Sequence, residues 1–187
     1  MFPDLPPDQA AKLEFHYELL CKWNRVLNLT TVTSREEAIE RHYGESIFLA
    51  RRLPANVTVA DIGSGPGFPG FVIAVVRPDV TIALIESHQR KSVFLREATR
   101  NVPNACVVAK RAEAVSDPFD WIVSRAVSYS DLASSIPRLA PNVALLTGAE
   151  VPPDSWDLDW QVETLPGSRN RFLRIGRSVS RETSCFT

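Results

Sequence analysis

The first 55 residues of the chain have the apolar spacing of helices. Apolar side chains recur there every three or four positions, as expected for one buried helical stripe. These positions are Leu13, Tyr17, Leu20, Trp23 and Leu27. A second helix is predicted to begin at Ser34, because Ser34 and Glu37 fit a capping box whose side chains bind amides of the first turn. We therefore predict a helical extension over residues 1–55.

From residue 56 onward, short β-branched runs alternate with helical segments. The predicted strands cover 57–62, 80–85, 105–109, 121–123 and 143–146. A helix over 89–100 separates the second strand from the third. This alternation predicts a mostly parallel sheet with helices on both faces, formed by a second unit over residues 56–187.

The end of the chain has a different pattern. Two strand-like runs, 160–165 and 172–175, flank the turn sequence Pro166-Gly167-Ser168 and predict an antiparallel hairpin on the sheet edge. Because side chains alternate along a strand, one face of the hairpin is expected to be apolar and packed. The other face is expected to present Arg171 and Arg174 to phosphates. We expect this hairpin to lie away from the central crevice of the sheet.

A glycine-rich segment follows the first predicted strand, where residues 61–70 read DIGSGPGFPG. Glycines let the chain turn sharply and let a ligand approach the backbone at the carboxyl end of a strand. Glu86 ends the second strand, where a carboxylate can accept the hydroxyls of a ribose. The segment therefore predicts a nucleoside cofactor, with a ligand-free tight turn as the alternative.

The loop sequence favours one nucleoside cofactor over another. A dinucleotide loop reads G-x-G-x-x-G and places a pyrophosphate at a helix N-terminus. Here the glycines run G-x-G-x-G, and Phe68 offers an apolar wall where a diphosphate would need donors. The acidic Asp61 suits a cationic ligand that carries an amino acid. S-adenosylmethionine is favoured, and an NAD-dependent oxidoreductase is the alternative.

Composition and charge restrict the possible partners. A net charge of −1 and a pI of about 6.3 argue against general affinity for nucleic acid, so any RNA contact has to come from local patches. One patch lies near the C-terminus, with a solvated surface as the alternative role. It consists of Arg169, Arg171, Arg174, Arg177 and Arg181 without an intervening acid.

The three cysteines lie far apart without metal-ligand spacing, which is typical of a reduced, cytoplasmic protein without a metal site. No membrane span, secretory signal or stable protein partner is predicted.

Five short motifs occur in order along the chain. They are Trp23-Asn24 with Asn28-Leu29-Thr30, Arg41-His42 with Glu45-Ser46, the glycine loop with Phe68-Pro69-Gly70, Arg111-Ala112-Glu113, and Phe119-Asp120 with Ser124-Arg125-Ala126. Together they resemble the bacterial small-subunit (16S) ribosomal RNA guanine-N7 methyltransferases, first named glucose-inhibited division protein B. Two departures are Glu45, where that family has Asp, and Thr147-Gly148, where it has Lys-Gly.

The resemblance implies a Rossmann-like S-adenosylmethionine-dependent methyltransferase fold and methyl transfer to guanine N7 of 16S rRNA, with the small ribosomal subunit as partner. The cofactor residues it implies are Gly63, Gly65 and Phe68 around methionine and adenosine, Glu86 at the ribose, Ala112 and Glu113 at the adenine, and Arg125 nearby. The positioning candidates are Asn28 and Arg125. The substrate candidates are Arg41, His42, Arg171 and Arg174.

Guanine N7 carries no proton, so this chemistry needs no general base, and none is predicted. The fourth strand is followed by Ser-Arg-Ala-Val, unlike the N-P-P-Y tetrapeptide typical of methyltransferases that act on exocyclic amines. Methyltransferases that act on pyrimidine C5 need a cysteine nucleophile, but Cys106 lies within a predicted strand rather than in a loop. A methyltransferase of the same fold acting on a small molecule or a protein remains an alternative.

Several candidates also have a purely structural interpretation. Glu113 could be a solvated acid, Asn28 a helix cap and His42 a packing residue, and Arg125 could pair with Asp61 or Asp120. His16 and His88 are expected at the surface.

Overall fold

One mixed sheet organises the computed structural model, which describes residues 2, 4–32 and 34–178 of the chain. Its strands are β1 Thr58–Ile62, β2 Thr81–Ile85, β3 Ala105–Val108, β4 Trp121–Arg125, β5 Asn142–Thr147, β6 Leu158–Thr164 and β7 Phe172–Ser178. Their spatial order is β3-β2-β1-β4-β5-β7-β6. Strands β1 to β5 are parallel, and β7 is antiparallel to both β5 and β6. The predicted parallel sheet with an antiparallel C-terminal hairpin is confirmed.

The described helices include those predicted in the helical extension and over 89–100. They are α1 Pro7–Leu27, α2 Arg35–Ala38, α3 Glu45–Ala50, α4 Gly70–Val76, α5 Gln89–Ala98, α6 Tyr129–Ala133 and α7 Ile136–Leu139. Ser34 caps α2 by accepting a hydrogen bond from the N–H of Glu37 at 3.1 Å, as the capping motif predicts, but the carboxylate of Glu37 pairs with Arg41. A π-helical turn, Ile39–Gly44, joins α2 to α3. None of the described helices is long and apolar enough to cross a lipid bilayer.

Two hydrophobic clusters cover the two faces of the sheet. Alternate residues of each central strand enter opposite clusters, so that Val59 and Val123 face one side and Ala60 and Ile122 the other. The first cluster also contains buried residues of α1, α3, α4 and α5, and the second contains buried residues of α6 and α7. The helical extension therefore packs on one face of the sheet, next to the strand ends that carry the site. The boundary at residue 55 stays a prediction.

The fourth strand is longer than its apolar pattern indicates. It was predicted to end at Val123, but it continues to Arg125, which pairs with Leu146 of β5. The pattern fails because Ser124 is polar yet buried, and its hydroxyl donates to the carbonyl of Ile62 at 2.8 Å. This polar end of the strand belongs to the candidate site.

Candidate active site

A cavity of about 370 Å³ opens at the carboxyl ends of β1 and β4. These strands are neighbours, but the chain continues from β1 toward β2 on one side and from β4 toward β5 on the other. Open α/β sheets bind ligands at such a switch point. Six of the predicted site residues meet in its wall: Asn28, Arg41, His42, Gly63, Phe68 and Arg125.

The glycine loop is tied to the end of β2. The backbone N–H groups of Gly63 and Ser64 both donate to the carbonyl of Ile85, at 3.0 and 3.1 Å. Gly63 has a φ of +70°, and a Cβ added there would lie 2.5 Å from a methyl group of Val127. A larger residue at Gly63 would therefore be strained and would push the loop away from the end of β4.

Glu86 is a buried carboxylate that braces this loop. One oxygen accepts the N–H of Gly65 at 2.9 Å and the other accepts the N–H of His88 at 2.7 Å. Only 7% of Glu86 is exposed, so it is not a surface acid. Because an ionised carboxylate has about four acceptor positions, these two bonds leave capacity for hydroxyl donors.

Asp61, at the end of β1, is a second buried carboxylate. One oxygen accepts the N–H of Gly70 at 3.0 Å, and the other, Oδ1, has no hydrogen-bond partner among the described residues. Burial, with a smaller contribution from the charge of Glu86, raises the pKa of Asp61 to about 7. The unpaired buried oxygen leaves Asp61 with capacity for a cationic donor.

Phe68 belongs to an aromatic cluster between the glycine loop and the helical extension. Its ring stacks on His42 at 4.7 Å between centroids and makes edge contacts with Tyr43 at 5.0 Å and His16 at 5.3 Å. The predicted apolar wall is therefore present. It is shared by the loop and the helices, so the helical extension fixes the position of the loop.

His16 was expected at the surface, and that prediction is wrong, because His16 is fully buried. Its Nε2 donates to the carbonyl of Pro66 at 2.9 Å, which leaves Nδ1 to accept from the hydroxyl of Tyr43 at 2.6 Å. Burial lowers the pKa of His16 to about 4, so the ring is neutral at pH 7. The signal that could have found it is its spacing from Leu13 and Leu20, three positions after one and four before the other on one helical face.

His42 both packs and lines the cavity. Its Nε2 lies 2.8 Å from the hydroxyl of Thr30, and its Nδ1 has no hydrogen-bond partner among the described residues. Burial, together with the charges of Arg125 and Arg41, lowers the pKa of His42 to about 3. The imidazole is therefore neutral at pH 7 and retains one unpaired ring nitrogen.

Asn28 ends α1 in a left-handed conformation, with φ of +47°, and its backbone N–H bonds to the carbonyl of Asn24. The backbone of Asn28 thus fits the capping interpretation, while the residue also lines the cavity. Asn24 has a structural role that the sequence pattern did not predict. Its side-chain amide makes two hydrogen bonds to the backbone of Thr30, at 2.9 and 3.0 Å, and so fixes the loop that forms the cavity rim.

Arg125 does not pair with Asp61 or Asp120, so that structural interpretation is wrong. It donates to the carbonyl of Arg41 at 2.8 Å and lies 3.6 Å from a carboxylate oxygen of Glu45. Glu45 also forms an ion pair with Arg171. The expectation that the hairpin lies away from the crevice is therefore wrong at Arg171, because this arginine precedes β7 at the carboxyl edge of the sheet.

The exposed cationic face predicted for the hairpin is wrong at Arg174. This arginine is buried, donates to the hydroxyl of Thr147 at 3.0 Å and packs its guanidinium over the ring of Phe172. The reason is that Arg174 lies in register with the buried Leu145 of β5, on the face of the sheet that the second hydrophobic cluster covers. Arg169 and Arg177 are exposed, and Arg181 lies outside the described residues.

Ala112 and Glu113 lie on a short 3₁₀ helix, Ala112–Ala114, between β3 and β4. Ala112 is buried, and its carbonyl accepts from Arg138 at 2.9 Å, whereas Glu113 is exposed. Since β3, β2, β1 and β4 are adjacent and parallel, these two residues, Glu86, the glycine loop and Arg125 all lie at one edge of the sheet.

Solved structures with this fold include a SAM-dependent methyltransferase from Aquifex aeolicus. The two superpose with a TM-score of 0.60 over 76% of this chain and 93% of that chain, at 16% identity. This similarity is one of fold.

Sequence comparison identifies closer relatives. The ribosomal RNA small subunit methyltransferase G of Dichelobacter nodosus is 46% identical over 121 residues, which span 63% of this chain and 57% of that protein. The protein of the same name from Halorhodospira halophila is 40% identical over 149 residues, which span 76% of this chain and 70% of that protein. The alignment with the Dichelobacter protein therefore covers less than two thirds of that relative's length.

The family model described as rRNA small subunit methyltransferase G matches residues 9–142, most of the chain and nearly every motif of the site. The match includes α1, the π-helical turn, the glycine loop and the ends of β2 and β4. The chain therefore belongs to the rRNA small subunit methyltransferase G family.

Proposed function

We propose that this chain transfers a methyl group from S-adenosylmethionine to N7 of a guanine in small-subunit (16S) ribosomal RNA. The observation that carries the proposal is the cavity at the β1–β4 switch point. There a glycine loop braced by a buried carboxylate meets the Arg41-His42 segment of the helical extension, in a chain of this family. The family name supports ribosomal RNA as the substrate class, and the cavity offers a site where the methyl transfer could occur.

The residues at the strand ends fit S-adenosylmethionine. Gly63 and Gly65 have positive φ and admit a ligand close to the backbone, and Phe68 supplies an apolar wall. Glu86 has the acceptor capacity for ribose hydroxyls, and the unpaired oxygen of Asp61 has it for an ammonium group. In the same proposal, Ala112 and Glu113 flank the adenine. The cofactor supplies an electrophilic methyl group bound to a sulfonium.

The chain's own residues have to position the base rather than move a proton. Guanine N7 is an unprotonated lone pair, and the neutral His42 is not required as a base. Arg125 is held by the carbonyl of Arg41 and by Glu45, so its guanidinium has a fixed place at the end of β4. Orientation of this kind can lower a barrier by about 7–11 kcal/mol. Asn28 and Arg125 are the proposed positioning residues.

RNA binding is proposed for residues around the cavity, and the candidates are the arginines Arg41, Arg171 and Arg174 together with the neutral His42. Arg174 is buried, so we propose that it supports the hairpin next to Arg171 and does not contact a phosphate directly. The overall charge of −1 favours a shaped ribonucleoprotein as the substrate over free RNA. Such a substrate implies the cytoplasm as the site of action.

The proposal is tested with purified small ribosomal subunits and labelled S-adenosylmethionine. Transfer of label to one guanine, mapped by mass spectrometry of nuclease fragments, is the expected result. The same position should be unmethylated in RNA from cells that lack the protein. Cofactor binding without transfer to subunits or free rRNA would instead favour a small molecule or protein as substrate. Calorimetry that detects NAD but not S-adenosylmethionine would favour an oxidoreductase.

A further inference from the structure

A second cavity, of about 460 Å³, lies above the carboxyl ends of β4 and β5. It shares Arg125 and Ala126 with the cavity at the β1–β4 switch point, so the two spaces adjoin. The rest of its wall comes from the segment after β4, the end of β5, the start of the hairpin's second strand, and Glu45. A group held here lies directly beside the proposed cofactor site.

Glu45 is the buried carboxylate in this wall, since the other acid that lines the cavity, Glu150, is exposed. Only 3% of Glu45 is exposed. Its contacts are with guanidiniums, the ion pair with Arg171 and the 3.6 Å approach of Arg125. Burial raises the pKa of Glu45 above its ordinary value, and the charges of Arg125 and Arg171 oppose part of that rise.

The hydrogen bonding of Glu45 differs from that of the other two buried carboxylates of the site. Asp61 and Glu86 accept backbone N–H groups of the glycine loop and its neighbours. Among the described residues, Oε1 of Glu45 has no aligned hydrogen bond, although Arg171 is in contact with it. A carboxylate has about four acceptor positions, so the contacts with two guanidiniums leave Glu45, which lines the cavity, with capacity for donors from a ligand.

We infer that Glu45 selects guanine by accepting the N1–H and N2–H groups of its Watson–Crick edge in the cavity above β4 and β5. Guanine presents two adjacent donors on that edge, a pattern that a carboxylate matches with its two oxygens. Adenine presents an acceptor at N1 and would be repelled. N7 lies across the ring from N2, so a base held at Glu45 can direct N7 toward the adjoining cavity. The inference rests on the proposed function and identifies the residue that recognises its base.

The test replaces the methylated guanosine with inosine in reconstituted small subunits. Inosine keeps N7 and N1–H but lacks the N2 amino group. Loss of one hydrogen bond to a charged group corresponds to about a tenfold or larger change in affinity, so the wild-type kcat/KM should fall by about tenfold or more on inosine. In Glu45→Gln, the penalty for inosine should shrink to about threefold or less, because the charged partner of the amino group is gone.

Glu163→Gln is the matched control. Glu163 pairs with Arg52 at 2.7 Å and so also links the helical segment to the hairpin, but it does not line the cavity. This variant should keep the full wild-type penalty for inosine. A merely structural role for Glu45 would lower kcat/KM equally on guanosine and inosine, so an unchanged penalty in Glu45→Gln would overturn the inference. A wild-type enzyme that is indifferent to inosine would overturn it as well.

If Glu45→Gln does not fold, Glu45→Asp is tested instead. This variant keeps the carboxylate but moves it back from the cavity by the length of one methylene group. Its penalty for inosine should lie below the wild-type value, and an equal penalty would overturn the inference. Wild-type methylation of the guanosine-containing subunits is measured in the same experiment. Its absence means that the proposed function has failed, whereas methylation without the expected penalties means that only the role of Glu45 has failed.

Discussion

Single residues in this site serve the fold and the ligand together. Glu86 accepts two backbone N–H groups that hold the glycine loop, and it is also the acceptor proposed for a ribose. His16 fixes Pro66 of the same loop from the opposite side, through α1. The geometry of the loop therefore depends on hydrogen bonds from a buried carboxylate on one side and a buried imidazole on the other.

Replacing Glu86 tests its ligand role. Glu86→Ala should weaken the binding of S-adenosylmethionine by about 1.5–3 kcal/mol, the scale of hydrogen bonds to a charged group. Glu86→Gln should weaken it less, since an amide oxygen remains. Calorimetry measures both values, and thermal unfolding without ligand shows how much of the loss comes from the loosened loop. A folded Glu86→Ala protein with wild-type affinity would contradict the assignment.

Replacing His16 tests its neutral buried state. The folded-state pKa of His16 lies near 4, below the ordinary value of 6.5, so the unfolded chain binds more protons between these values. The free energy of unfolding contributed by His16 is therefore fully present above pH 6.5 and is lost as the pH falls toward 4, by about 3 kcal/mol in total.

His16→Phe provides the comparison, because it keeps an aromatic ring against Phe71 but cannot be protonated. Asp61 and His42 also titrate, but they are common to both proteins and cancel in the difference. Urea unfolding at several pH values should show the wild type losing stability relative to His16→Phe as the pH falls from 6.5 to 4. Parallel curves would mean that folding does not lower the pKa of His16.

At the scale of elements, the hairpin is part of the core rather than an attachment. Strand β7 lies between β5 and β6, and its inward residues Leu173 and Ile175 belong to the cluster that also contains the helical extension. Two ion pairs, of Glu45 with Arg171 and of Arg52 with Glu163, connect the same hairpin to the segment around α3.

This arrangement predicts unequal costs for two truncations in the hairpin. Leu173 is fully buried in β7, so Leu173→Ala should lower the free energy of unfolding by about 2–5 kcal/mol. Val162 is 47% exposed in β6, so Val162→Ala should change it by about 0.5 kcal/mol or less. Urea denaturation measures both. Equal small effects would show that the hairpin folds apart from the core.

The elements themselves could largely be predicted from local patterns, because strand and helix periods, the capping motif and the glycine loop are all short-range signals. The arrangement of the hairpin could not, because the placement of β7 inside the sheet depends on pairing with β5, a long-range contact. For the same reason the sequence predicted an exposed Arg174 and missed the ion pair between Glu45 and Arg171. The buried state of His16 was accessible to helical spacing, but its partners were not.

At the scale of the whole molecule, two exposed arginines of the hairpin, Arg169 and Arg177, lie at opposite edges of the sheet. Arg169 lies in the hairpin turn between β6 and β7. The first residue of β7, Phe172, pairs with Thr164 at the end of β6 and with Thr147 at the end of β5. Arg169 therefore lies at the carboxyl edge, on the side of the cavities. Arg177 pairs with Asn142 at the start of β5 and lies at the opposite edge. Both side chains are exposed, so they differ mainly in which edge of the sheet they occupy.

If the RNA binds at the carboxyl edge, these two arginines should behave differently. Each phosphate neutralised by a cation adds about 0.7–0.9 to the slope of log affinity against log salt, through counterion release. Arg169→Gln should flatten that slope by up to this amount and raise the KM for small subunits, whereas Arg177→Gln should leave both unchanged. Affinity for S-adenosylmethionine should stay constant in both variants. Subunit binding measured across a range of salt concentrations tests this directly. A flatter slope in Arg177→Gln alone would place the RNA on the opposite edge of the sheet, and unaltered slopes in both variants would move the phosphate contacts to Arg41 and the helical extension.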